Sequence, residues 1–234
     1  MRKILDIARR ASASEPERRQ RFVYETDDER ATVASALRAL NERSPLLDAD
    51  GVPAEPIRWE CSCLQKKCGA CAMVIDGVPR LACDVRLAQL RREVVRVDPL
   101  RKFPLVADLM VDRSAVFARL NELQTWLDEQ VELLQRRSEV AYEGSRCLQC
   151  GCCLEVCPNF AVEGGFGGMA AMVPLSRLLA EATPADRKRL ARAYRAGVYG
   201  GCGTSLACRN ICPAGIDISG LMARSNAAAV WRRW

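Results

Sequence analysis

Cys147-Leu-Gln-Cys150-Gly-Cys152-Cys153-Leu-Glu-Val-Cys157-Pro158 is the stretch on which the reading of this chain turns. Its spacing is C-x2-C-x2-C-x3-C-P, in which three closely spaced thiolates wrap one iron–sulfur cluster and the cysteine before proline ligates a second. Further on, Cys202-Gly-Thr-Ser205-Leu-Ala-Cys208-Arg-Asn-Ile-Cys212-Pro213 repeats the pattern with serine where the second cysteine should stand. Two runs mean two clusters, and one of them is short of a thiolate. The chemistry this implies is electron transfer.

Applying the crossing rule to both runs gives Cys147, Cys150, Cys153 and Cys212 to a [4Fe–4S] cluster. Cys157, Cys202 and Cys208 remain for its neighbour. Three thiolates favour [3Fe–4S], because an iron without a protein ligand is easily lost from a cubane. The alternative is a four-iron form in which the Ser205 hydroxyl holds the last iron as an alkoxide.

A third group lies upstream. Cys63-Leu-Gln-Lys-Lys-Cys68-Gly-Ala-Cys71, followed by Cys83, has the plant-type C-x4-C-x2-C…C spacing of a [2Fe–2S] centre. Met73-Val74-Ile75 ending at Asp76-Gly77 reads as a strand entering a hairpin turn, which brings Cys83 back beside the loop. Gly69 and Ala70 are small enough for backbone amides to approach the sulfurs. The two lysines, Lys66 and Lys67, favour the reduced, more negative state of the centre.

Zinc is the competing use of cysteine quartets, but zinc sites are usually built from two separated pairs and these are tight runs of three or four. A disulfide framework fits poorly with 13 cysteines, an odd number. The clusters take eleven of them and leave Cys61, which sits at a C-x6-C step, and Cys152, which breaks the four-iron spacing. Both read as bystander thiols that pack as small apolar residues.

Composition is that of a soluble, intracellular chain, with 49% hydrophobic and 27% charged residues among 234. No apolar run approaches membrane-spanning length. Arg9-Arg10 is followed by Ala11-Ser-Ala-Ser-Glu-Pro-Glu-Arg18 in place of a hydrophobic core, so no export signal is read there. The formal charge of +6 omits the clusters; at roughly −2 for each oxidised cluster the sum approaches zero. Nucleic acid is therefore not expected as a partner.

The chain divides where the cluster types divide. Residues 1–103 are mixed: Ile4–Arg9 and Arg21–Glu25 read as paired strands, Ala31–Leu40 as a helix capped by Asp27 or Asp28, and Glu93–Asp98 as a closing strand. Residues 104–234 read as helical. Leu105–Met110, Ala115–Leu134, Met169–Ala180, Pro184–Ala196 and Ile216–Ala229 carry apolar residues at helical spacing, and Pro184 takes a first-turn place after Thr183. Gly164-Gly165-Phe166-Gly167-Gly168 is a loop, either a plain turn or the border of an acceptor site.

Over essentially its whole length the chain resembles the iron–sulfur subunit of the succinate dehydrogenase / fumarate reductase family. The resemblance rests on Cys63…Cys68-Gly-Ala-Cys71-Ala-Met…Leu81-Ala-Cys83, on Pro104…Asp108-Leu-Met-Val-Asp112-Arg, and on the two Cys-Pro runs. It implies an α+β fold, an N-terminal β-grasp [2Fe–2S] ferredoxin domain (1–103) followed by a C-terminal α-helical ferredoxin domain (104–234). It also implies a flavoprotein subunit carrying FAD, where the dicarboxylate reacts, and a membrane anchor of cytochrome b type that handles quinone. The chain is then peripheral on the cytoplasmic side of the membrane, and none of its side chains is catalytic toward the substrate.

The departures from that family bear on the acceptor. Its ubiquinone-linked members carry a tryptophan after the position of Cys157 and a histidine after that of Cys202. Here those places read Pro158-Asn-Phe-Ala-Val and Gly203-Thr-Ser205, and the chain has no histidine. The expectation is menaquinone near the three-iron end. The alternative is a soluble, non-quinone-linked flavin reductase of the thiol-linked fumarate reductase type. Val230-Trp231-Arg232-Arg233-Trp234 suits contact with a membrane subunit better than burial in lipid, since so few residues supply little membrane affinity.

Overall fold

The computed structural model describes residues 1–128 and 139–231. It divides into two compact units, Met1–Asp112 and Arg113–Trp234.

In the first unit, β1 (Arg2–Arg9) and β2 (Arg18–Glu25) pair antiparallel with Ile4 opposite Val23. Alternation sends Leu5, Ile7, Phe22 and Tyr24 into the core, as period-two patterning requires. Helix α1 (Val33–Asn41) buries Val33, Ala36, Leu37 and Leu40. Then β3 (Ala72–Ile75) and β4 (Val78–Leu81) form a hairpin, and β5 (Val94–Asp98) returns parallel to β1. The sheet order β2-β1-β5-β3-β4 places β5 at its centre, between β1 and β3. The hairpin turn is Asp76-Gly77, both at positive φ (49° and 79°), as a two-residue primed turn demands.

The cap of α1 is not Asp27 or Asp28. Thr32 accepts from the Ser35 amide at 3.1 Å and the Ser35 hydroxyl answers the Thr32 amide, a reciprocal box only that spacing allows. Asp28 instead accepts from the Arg30 amide. Leu105–Met110 is not helical either: β6 (Leu105–Ala107) and β7 (Met110–Val111) make a small antiparallel hairpin in the first unit. The turn is built on Asp108, at φ 45°, whose carboxylate accepts from the amides of Arg10 (2.8 Å) and Arg58 (3.0 Å) and pairs with the buried Arg9 guanidinium at 3.2 Å. Those long-range partners override a weak helical period.

The second unit is helical. Its elements are α2 (Ser114–Glu122), α3 (Glu139–Ser145), α4 (Cys152–Glu155), α5 (Gly168–Glu181), α6 (Pro184–Gly197) and α7 (Ile218–Asn226), the last running into a π turn over Ala227–Trp231. The expected Ala115–Leu134 helix ends at Glu122, and residues 129–134 of that expectation lie outside the described set. Thr183 caps α6 by accepting from the Asp186 amide, with Pro184 in the first turn. The core is Met172 and Leu175 of α5, Leu190 and Tyr194 of α6, and Ile218 and Leu221 of α7. Among the described residues no helix is long and apolar enough to cross a membrane.

Candidate metal centres

Between Cys63 and Cys71 the backbone doubles back on itself. Leu64 (φ 53°), Lys66 (60°) and Gly69 (76°) are left-handed, which turns successive amides toward the loop interior. The amides of Gln65 and Lys67 donate to Cys63 Sγ at 3.3 and 3.4 Å, and that of Lys66 to Cys83 Sγ at 3.3 Å. These donors, Gln65 first, hold the Cys63 thiol down at about 7. Cys71 sits at the foot of β3, where burial pushes its thiol up to about 12. Cys68 contacts Cys63 and Cys83 contacts Cys71, so all four predicted thiols meet in this loop. The sequence pointed to Gly69 and Ala70 as the approach to sulfur; the amides of Gln65, Lys66 and Lys67 are donors it did not single out.

The lysines do not act as two bare charges. Lys66 Nζ pairs with Asp84 at 2.7 Å, beside Cys83, and this pair offsets much of its field. Asp84 is distant from Lys66 in the chain, and the β3–β4 hairpin lies between them.

In the second unit Cys147, Cys150, Cys153 and Cys212 line one apolar recess together with Met169, Val173, Ile216 and Ile218. Gly151 (φ 86°) starts α4 in a conformation that suits glycine. Burial pushes the Cys147 thiol up to about 11, and burial followed by the neighbouring thiols raises Cys153. Cys152, fully buried, donates its S–H to Cys150, holding that thiol down at about 7 with help from the Cys152 amide and the Arg113 guanidinium. The same hydrogen bond, reinforced by burial, raises Cys152 and keeps it a neutral thiol. Cys152 is thus a packed bystander in contact with a ligand position. Cys61 is exposed.

Burial first, and then the charge of Cys157 and Cys202, raises the Cys208 thiol. Thr204 (φ 52°) and Leu206 (φ 57°) flank the exposed Ser205. Asn159 Nδ2 ties the segment after Cys157 to the Gly201 carbonyl at 2.7 Å. Of the sets drawn from spacing, Cys147, Cys150, Cys153 and Cys212 share one recess. Gly164–Gly167 precede α5 as an irregular segment, and Gly168 is already the first residue of that helix. Arg119 reaches the Gly164 carbonyl at 2.6 Å.

The donor chemistry fits iron–sulfur clusters. Five of the eight described non-glycine residues at positive φ stand between cysteines of these runs, a concentration of backbone strain typical of a site that must aim amides at bound anions. Cys147 and Cys153, raised by burial, resist ionisation unless a metal compensates the charge. Among the described residues no three His, Cys, Asp or Glu side chains close around a single ion; cluster ligands are distributed over several irons and so stand wider apart.

Comparison with known proteins agrees with this chemistry. Residues 4–118 match the family described as 2Fe-2S iron-sulfur cluster binding domain, and residues 143–216 match the 4Fe-4S dicluster domain. The succinate dehydrogenase iron-sulfur subunit of Bacillus subtilis is 36% identical over 83% of this chain and 79% of its own length. The chain belongs to the succinate dehydrogenase / fumarate reductase iron–sulfur subunit family. The fumarate reductase iron-sulfur subunit of Mycobacterium tuberculosis is 32% identical over 71% of each chain. An iron-sulfur protein of Methanocaldococcus jannaschii, 32% identical over 69% of this chain, is matched over only 33% of its length. In fold, a chain of the Mycobacterium smegmatis Sdh1 complex in the apo form superposes with a TM-score of 0.78 over 99% of this chain and 97% of that one, at 23% identity.

As a member of that family this chain is an electron-transfer iron–sulfur subunit of an oxidoreductase complex, with a β-rich 2Fe-2S-type domain followed by a helical 4Fe-4S-type domain. The dicarboxylate step is not its own.

Proposed function

We propose that this subunit passes single electrons between an FAD-bearing flavoprotein subunit and a menaquinone-reactive membrane anchor of cytochrome b type, through three clusters. Cys63, Cys68, Cys71 and Cys83 hold a [2Fe–2S] cluster, Cys147, Cys150, Cys153 and Cys212 a [4Fe–4S] cluster, and Cys157, Cys202 and Cys208 a [3Fe–4S] cluster. The observation that supports the reading is that Cys212, from the second run, lines the recess of the first run with Cys147, Cys150 and Cys153. Clusters supply one-electron steps, which a two-electron flavin reaction needs when it feeds a one-electron acceptor. The chain's own residues hold the thiolates, exclude water from the Cys153 side and present amide donors to sulfur. On this reading the protein sits on the cytoplasmic face of the membrane through its anchor.

Purification from membranes with its partners, followed by EPR and mass spectrometry, tests the assignment. An oxidised three-iron signal in the intact complex, replaced in Ser205→Cys by a four-iron signal, is the expected result; its absence from the wild-type complex overturns the three-thiolate site.

A second reading rests on the Methanocaldococcus jannaschii relative, in which a sequence of this kind lies within a longer chain. On this reading the electrons serve a soluble flavin reductase, of thiol-linked fumarate reductase type, without quinone. Recovery of the complex from the soluble fraction, with no anchor subunit, would favour it.

A further inference from the structure

Helix α5 carries a proline at position 174. An α-helical carbonyl accepts from the amide four residues on, and proline has none to give, so the Ala170 carbonyl loses its ordinary donor. Gln149 fills the place. Its side-chain Nε2 donates to the Ala170 carbonyl at 3.1 Å and to Cys147 Sγ at 3.3 Å. An amide nitrogen has two protons, and here each has a partner. The orientation of the amide is dictated chemically: carbonyl oxygen and thiolate are both acceptors, and with the amide reversed its oxygen would face both of them. Gln149 Oε1, accordingly, is buried without a hydrogen-bond partner.

Gln149 belongs to the cysteine run itself, where it adopts φ 51°, and it lines the same recess as Cys147, Cys150, Cys153 and Cys212. We infer that Gln149, braced by the carbonyl that Pro174 leaves open, is a positioning residue that raises the reduction potential of the cluster held at Cys147. The cluster gains one electron on reduction and no proton. A fixed N–H donor on a ligand sulfur favours the state with the extra negative charge. In this recess, whose walls are otherwise largely apolar, that bond carries weight because little water competes.

The inference rests on the four-iron assignment, and the experiment separates the two. The complex, purified with its partner subunits, is titrated by EPR at set potentials in wild type and in Gln149→Leu, which keeps approximate size but removes the donor. The expected result is unchanged iron and sulfide content and a four-iron midpoint that falls. The reduced-to-oxidised ratio at fixed potential should drop about three- to tenfold, tenfold being 59 mV for one electron, with the other clusters unmoved. Pro174→Ala restores the backbone donor to Ala170, frees the Gln149 amide from its brace, and should move the same midpoint in the same direction by less. A four-iron signal that titrates identically in wild type and Gln149→Leu overturns the inference and leaves the cluster assignment intact. Absence of any four-iron signal in wild type overturns the assignment, and the inference with it. Should Gln149→Leu fail to assemble, Pro174→Ala alone decides: an unmoved midpoint there is the overturning result.

Discussion

Asp98 closes β5 against three arginines: Arg19 Nη1 at 2.6 Å, Arg101 Nη2 at 2.7 Å and Arg96 Nε at 2.8 Å. Burial works to raise its carboxyl, but Arg96, Arg19 and Arg101 together prevail and hold it below the usual carboxylate range. The stability this adds is complete above the unfolded-state value and is lost as pH falls toward the folded-state one. Asp98→Asn should therefore cost about 1–3 kcal/mol at neutral pH and flatten the acid limb of stability, measured by urea unfolding between pH 7 and pH 3. Lys66 makes a second prediction at this scale. Paired with Asp84, it contributes less than a free ammonium, yet Lys66→Glu sets two carboxylates beside Cys83. The [2Fe–2S] midpoint should fall in potentiometry, and a midpoint that holds or rises refutes the electrostatic account. Both lysines were visible in the sequence; the pairing of Lys66 with Asp84 and of Arg19 with Asp98 was not, because those ion pairs join residues that spacing does not connect.

At the scale of elements, strong periodicity and turn chemistry carried through. The β1–β2 pair, the Asp76-Gly77 hairpin and the Thr183-Pro184 start of α6 follow from local patterns alone. Weak signals failed where distant partners intervened, as with the β6–β7 hairpin held by Asp108. Short helices α3 and α4 lie around the first run, with too few turns for a period to show. Gly144 in α3 reveals how they pack: a Cβ there would stand 2.8 Å from Arg177 Cβ and 3.1 Å from the Val173 carbonyl of α5. Since neither is the free end of a flexible chain, Gly144→Ala should push α3 off α5, costing about 1–3 kcal/mol. Cys147 follows α3 directly, so four-iron content per chain, read from EPR spin counts, should fall as well. Full occupancy with unchanged thermal stability would contradict this packing.

At the scale of the whole molecule, the first unit has its own sheet, core and cysteine loop within Met1–Asp112. A chain of residues 1–112 should fold alone and, reconstituted with iron and sulfide, show the visible absorption and reduced EPR signal of a single [2Fe–2S] centre. An unfolded or colourless product would show that this unit depends on the rest. By itself the sequence determined the succession of a β-rich and a helical domain and the family, because cluster ligation demands fixed covalent spacings and those spacings are written linearly. Only the tertiary structure decided what surrounds each thiolate. The Gln149 amide turned onto Cys147, the Cys152 thiol on Cys150 and the left-handed amides on Cys63 arise where chain segments meet, and the forces that tune a cluster act through space.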